Sequence, residues 1–119
     1  MIAVTLPWPP KELSPNARVH WKLKADAAKK YKSDCFWFCK AGWLNTSYTK
    51  RPAFIEGPNL TITFYPPSKR KADVDNMLAS FKAGLDAISD FTGIDDSKFQ
   101  ITFSKAEPIK HGMVKVVIA

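Results

Sequence analysis

Asn59 to Tyr65 alternates Leu60, Ile62 and Phe64 against Thr61, Thr63 and Tyr65, the period-two pattern of a strand with one buried face. Pro66 and Pro67 stop it. Ile2 to Leu6 is a shorter β-branched run, closed by Pro7, Pro9 and Pro10, and reads as a strand that ends abruptly. Phe99 to Phe103 and Met113 to Ile118 alternate in the same way; joined by a polar connection, they predict an antiparallel hairpin. Two stretches carry a helical period instead. From Leu23 to Leu44 apolar and small residues recur at Leu23, Ala27, Tyr31, Cys35, Phe38 and Gly42. From Val74 to Ile88 the stripe is Val74, Leu78, Phe81, Leu85 and Ile88, with Met77 beside it. Lys11 to His20, with Ser14, Pro15 and Asn16, is a loop, and Asn45 to Pro58 has no period and reads as a connection. The order strand, helix, strand, helix, strand, strand predicts a single α+β domain with two main helices on a mixed, largely antiparallel sheet.

Composition sharpens this picture. At 119 residues the chain is long enough to bury one core, and 18 Lys and Arg against 11 Asp and Glu leave a net charge of +7. Such an excess fits a partner rich in phosphate, nucleic acid above all, with a merely soluble basic surface as the alternative. The apolar run at the N-terminus is too short for a signal peptide or a membrane span, so no membrane partner and a cytoplasmic location are expected. Cys35 and Cys39 then read as reduced core thiols; a zinc site needs two more ligands, and only His20 and His111 exist. Lys24, Lys29, Lys30, Lys32 and Lys40 decorate the long helix as a solvated face or a DNA-facing one. Phe36, Trp37 and Trp43 exceed what one buried face needs, and a subunit interface would use them.

The acid is concentrated. Asp73, Asp75, Asp86, Asp90, Asp95 and Asp96 lie between Lys69 and Phe99, behind the basic run Lys69, Arg70 and Lys71. Asp73 or Asp75 occupies a helix N-cap, which accounts for one of the two. Turning 100° per residue, Asp75, Ala79, Lys82 and Asp86 form a second, polar stripe not needed for packing. Magnesium takes hard oxygen ligands, one or two of them carboxylates, and leaves room for phosphate oxygens. Asp-x-Asp across a helix start suits it. Asp95 and Asp96 follow Gly93 at a turn, either to cap it or to complete the site, and carboxylates crowded without metal should raise at least one pKa.

Taken in order, these residues resemble the RusA-type Holliday junction resolvases, small phage-associated endonucleases. Basic residues lead into Asp73-Val74-Asp75-Asn76, then Lys82 and Asp86-Ala87-Ile88, then Asp95-Asp96-Ser97; the opening Leu6-Pro7-Trp8-Pro9-Pro10, followed by Asn16 and Arg18, also looks like the family's. The resemblance implies a RusA-like fold, a homodimer, and a magnesium-dependent nuclease, with manganese as the alternative ion, that makes paired nicks in branched, four-way DNA. Three aspartates and a lysine are essential in that family, and carried over they are Asp73, Asp75, Asp96 and Lys82. Lys69, Arg70, Lys71, Arg18 and Lys22 are the candidates for contact with the DNA backbone. The lysine departs from the pattern: the family's best-known form has it four residues after the second aspartate, where this chain has Ala79. Lys82 then contacts a neighbouring phosphate or pairs with Asp86, and Lys69 or Lys71 stands in. Asp96 lies beyond the far end of the helix, so it joins the site within one chain by a taut return or comes from the dimer partner. A nucleic-acid-binding module without catalysis is the competing reading, and an inactive phage structural or inhibitory protein is a third.

Overall fold

Strand β2 (Asn59–Tyr65) is half buried as its alternation predicts, with Leu60, Ile62 and Phe64 fully enclosed and Asn59 and Thr61 in solvent. The computed structural model describes residues 2–44, 59–69 and 73–118, so the connection expected over 45–58 and the basic residues Arg70 and Lys71 lie outside the described residues. The remaining strands are β1 (Ile2–Pro7), β3 (Gln100–Lys105) and β4 (Met113–Ile118). The helices are α1 (Trp21–Leu44), α2 (Val74–Ser80) and α3 (Lys82–Thr92), with 3-10 turns over Lys11–Leu13 and Asp96–Lys98. The result is an α+β domain in which the helices pack on one face of a mixed four-stranded sheet.

The sheet order is β1-β4-β2-β3, which corrects the expected hairpin. Strands β3 and β4 do not pair. β4 lies between β1 and β2, antiparallel to both, and β3 runs parallel to β2 at the edge. Burial explains the choice: Val114, Val116 and Ile118 are wholly buried and need neighbours on both sides, whereas β3 is largely exposed. The link from β3 to β4 crosses over the end of β2, where the Ala106 N–H donates to the Phe64 carbonyl at 2.8 Å and the Ile109 N–H to the Pro66 carbonyl at 2.9 Å. Gly112 closes this link at φ 69°, and a Cβ there would stand 3.0 Å from the Trp8 ring.

The face of β1, β4 and β2 that carries Val4, Leu6, Val114, Val116, Leu60, Ile62 and Phe64 is covered by Tyr31, Cys35 and Cys39 of α1 and by Met77, Phe81, Ile88 and Phe91 of the other helices. Rings meet edge to face: Phe81 lies 5.9 Å from Phe64 and 6.2 Å from Tyr31, centroid to centroid. In α1 the buried positions are Tyr31, Cys35 and Cys39; the expected Leu23 and Phe38 are instead 58% and 49% exposed. Steps of four drift 40° around a helix, so the stripe that starts at Tyr31 passes through Cys39 and leaves Phe38 outside.

The expected continuous helix over 74–88 is broken at Phe81, whose φ of −89° and ψ of 3° leave the helical region. The Phe81 N–H is shared between the carbonyls of Met77 and Leu78, at 3.0 and 3.1 Å. One residue earlier the Ser80 hydroxyl donates to the Asn76 carbonyl at 2.9 Å, a back-bond that bends helices. The ring of Phe81 folds over Gly84, where an added Cβ would overlap the ring carbons. The stripe consequently runs through Met77, Phe81, Gly84, Ile88 and Phe91, while Val74, Leu78 and Leu85 are only partly covered. Gly93, at φ 75°, ends α3 in the left-handed conformation that glycine adopts without strain.

Candidate functional site

Asp73 begins the site. It is the N-cap of α2, and its Oδ1 accepts the Asp75 N–H at 3.3 Å. Of the two aspartates that could cap, Asp73 does so, and Asp75 stands exposed in the first turn. Asp73, Asn76 and Ser80 form one wall of a cleft of about 490 Å³. The opposite wall is Trp8, Pro9 and Pro10 at the exit of β1, with Lys11, Ser14 and Asn16 of the loop that follows. Two stretches some sixty residues apart in sequence thus face each other across one opening. The loop is held by its own turns: the Leu13 and Ser14 N–H groups donate to Pro10 and Lys11, and the Asn16 N–H donates to the Ser14 hydroxyl. Arg18 lines a shallower hollow that shares Lys11, Ser14 and Asn16 with this cleft.

Ser80 also opens onto a second groove of about 410 Å³, bounded by Trp21 and Lys24 of α1 and by Ala79, Lys82, Ala83 and Asp86. The polar stripe inferred from helical turning is therefore partly assembled, since Ala79, Lys82 and Asp86 share a wall, while Asp75 is not part of it. Lys82 is exposed and forms no ion pair with Asp86; the ion pair among the described residues joins Lys32 to Asp90 at 3.0 Å. Lys22 is exposed beside the loop, and Lys69 lies in a separate hollow with Lys105 and Glu107.

Asp96 is carried back along α3 by the turn at Gly93, into the fields of Asp95 and Asp86. Asp95 caps the 3-10 turn, its Oδ1 accepting the Ser97 N–H at 3.1 Å. That hydrogen bond holds the Asp95 carboxyl below the ordinary carboxylate range, whereas the hydrogen bond with Asp95 holds Asp96 above it. A raised carboxylate pKa was expected from crowding, and its cause is Asp95, not Asp73 or Asp75. No group of three His, Cys, Asp or Glu side chains placed to hold a metal occurs among the described residues of one subunit. Asp73 supplies an exposed hard-oxygen donor at the open cleft, and Asp75 stands exposed on the helix turn beside it. Asp96 does not line the cleft.

Cys35 and Cys39 are fully buried, and burial pushes each thiol up to about 12. They are core residues. Tyr31 donates its hydroxyl to the Pro7 carbonyl at 2.6 Å and so ties α1 to the exit of β1, next to the cleft. Lys11, Lys24, Ser80 and Trp21 had no motif to flag them; only the meeting of the loop, α1 and the α2–α3 junction makes them neighbours.

This is a single-sheet α+β domain with an acidic helix start facing a proline-rich loop. No family model matches the chain. An uncharacterized protein of Xylella fastidiosa (strain Temecula1 / ATCC 700964) is 41% identical over 121 residues, which span 99% of this chain and 76% of that protein. The chain belongs to the same family as this bacterial protein. Among the described residues no helix is long and apolar enough to cross a membrane.

Proposed function

We propose that the protein is a magnesium-dependent endodeoxyribonuclease that resolves four-way DNA junctions by paired phosphodiester hydrolysis, acting as a homodimer in the bacterial cytoplasm on host, prophage or phage DNA. Manganese is the expected substitute ion. The observation that carries the reading is the cleft itself, where Pro9, Pro10 and Asn16 face Asp73 and Asn76. These are the two stretches in which the sequence resembles the RusA-type resolvases, and they are brought together from distant parts of the chain.

In this reading Asp73 and Asp75 hold the ion, which when bound polarises the scissile phosphodiester and acidifies a bound water. Asn76 orients the phosphate by donating hydrogen bonds from its side-chain amide, while the Ser80 hydroxyl stays committed to the Asn76 carbonyl. Lys11, Arg18 and Lys82 attract the strand to the cleft. Asp96 serves the partner subunit's cleft, because its own subunit keeps it beside Asp95 and Asp86, and a two-fold dimer presents two such sites to a two-fold substrate.

A second reading rests on the use of Asp73 and Asp95 as caps, which accounts for both without catalysis and leaves a nucleic-acid-binding module. One experiment separates the two. The protein and its Asp73→Asn and Asp75→Asn variants are incubated with a mobile four-way junction, a duplex and a flap, with and without magnesium. Junction-selective paired nicks that need magnesium and vanish in both variants, while junction binding survives, support the nuclease. Binding without product in any condition supports the module.

A further inference from the structure

We infer that the groove between the start of α1 and the α2–α3 junction is a stacking site for one unpaired nucleotide, with Trp21 as the platform and Lys24 and Lys82 as its phosphate contacts. This deepens the nuclease reading and rests on it for the source of the nucleotide. Trp21 is 74% exposed, the most exposed large apolar side chain among the described residues. Its indole is not loose. The His20 ring lies against it at 5.5 Å between centroids and 33° between planes. His20 is itself fixed as the cap of α1: its Nδ1 accepts the Lys22 N–H at 3.2 Å and its carbonyl accepts the Lys24 N–H at 3.2 Å. A braced aromatic face in water is pre-organised for a flat partner.

Beside that face Leu13, Ala25, Ala28, Ala79 and Ala83 line a groove of about 410 Å³, within the size of ligand clefts. The four alanines keep it open, since larger side chains there would fill it. Lys24 and Lys82 stand on its two walls, exposed and in no ion pair among the described residues, against the single carboxylate of Asp86. An apolar peptide would gain nothing from two lysines flanking one indole. A nucleotide uses both, because its base stacks and its phosphate meets the cations. A base inside a duplex cannot reach an indole without leaving its neighbours, so the occupant is unpaired, as at a junction centre or a flap. Ser80 lines both this groove and the Asp73 cleft, so a strand held in the cleft brings an adjoining nucleotide to Trp21.

The test is the affinity of wild-type protein and of the Trp21→Ala, Trp21→Phe and Lys24→Ala variants for an oligothymidine and for a blunt duplex, by fluorescence anisotropy without magnesium. Trp21→Ala should weaken oligothymidine binding by about 5- to 100-fold and change duplex binding by less than about 2-fold. Trp21→Phe should recover most of the loss, and Lys24→Ala should flatten the salt dependence by about 0.7 in log–log slope. Unchanged melting temperatures exclude misfolding. Trp21→Ala binding oligothymidine like wild type, or losing both DNAs equally, overturns the stacking site and leaves the nuclease untouched. Wild-type protein that binds neither DNA overturns both.

Discussion

The crossover from β2 to β3 carries an acidic pair at each end, and the two pairs use the same device to different effect. At its start Asp73 accepts the N–H two residues on, from Asp75; at its end Asp95 accepts the N–H two residues on, from Ser97. One intervening residue makes the difference. Val74 separates Asp73 from Asp75; both are exposed, and Asp73 lines the cleft. Asp95 and Asp96 are adjacent and shift one another, the Asp95 carboxyl held below the ordinary carboxylate range and Asp96 above it. Two acidic doublets that look alike in sequence thus differ: one is split between a cleft wall and an exposed helix turn, and the other keeps its two carboxyls side by side.

The junction between the two ends is the largest lever. Phe81→Ala removes a fully buried ring that packs on Phe64 and Tyr31 and closes over Gly84, and is expected to cost about 3–5 kcal/mol in denaturant unfolding. If the loss is under ~1 kcal/mol, the break at Phe81 does not organise the core. A smaller effect separates the chemical role of Asp73 from its structural one. Asp73→Ala should lose about 1 kcal/mol of stability with the cap, whereas Asp73→Asn, which still caps, should lose a few tenths and yet lose nicking. Equal destabilisation by both would leave the cap account without support.

The smallest effect is a titration. A depressed carboxyl such as Asp95 stabilises the fold above its unfolded pKa and loses that contribution as pH falls through its folded value. Asp96 has the opposite sign: its raised pKa favours the folded state in acid, and the contribution disappears as pH rises through the folded value. The two act in opposite directions on stability, so the readout is carboxyl chemical shift by NMR. Asp95→Asn should return Asp96 toward the ordinary carboxylate value, while Asp96→Asn should leave Asp95 depressed, since the Ser97 N–H is its main cause. An Asp96 that titrates unchanged in Asp95→Asn breaks the comparison.

Strand β2 and the core face of β4 were legible because alternation and burial agree along each. The cap at Asp73 was legible too, since a carboxylate before an apolar helical run has few other local uses. Pairing was not: strands adjacent in sequence usually pair, and nothing in Phe99 to Ile118 announces that the link crosses over β2. Nor does periodicity reveal the break at Phe81, because Met77, Phe81, Gly84 and Ile88 keep helical spacing across it. For the site, Asp73 and the stretch with Pro9, Pro10 and Asn16 could each be named from the chain, but not that they face one another across a cleft. Lys11 and Trp21 owe their place to tertiary packing, and Asp96 owes its distance from Asp73 to a turn at Gly93 followed by a partner, Asp95, one residue away.

The proposed nuclease joins its two acidic ends between subunits. Asp75→Asn and Asp96→Asn proteins, each inactive alone, are mixed, allowed to exchange subunits and assayed for nicking of a four-way junction. If Asp96 acts in the partner's cleft, half of the dimers carry one intact site, and the mixture regains about a quarter of the wild-type sites. A mixture as inactive as its components, or an Asp96→Asn protein that nicks by itself, contradicts the claim.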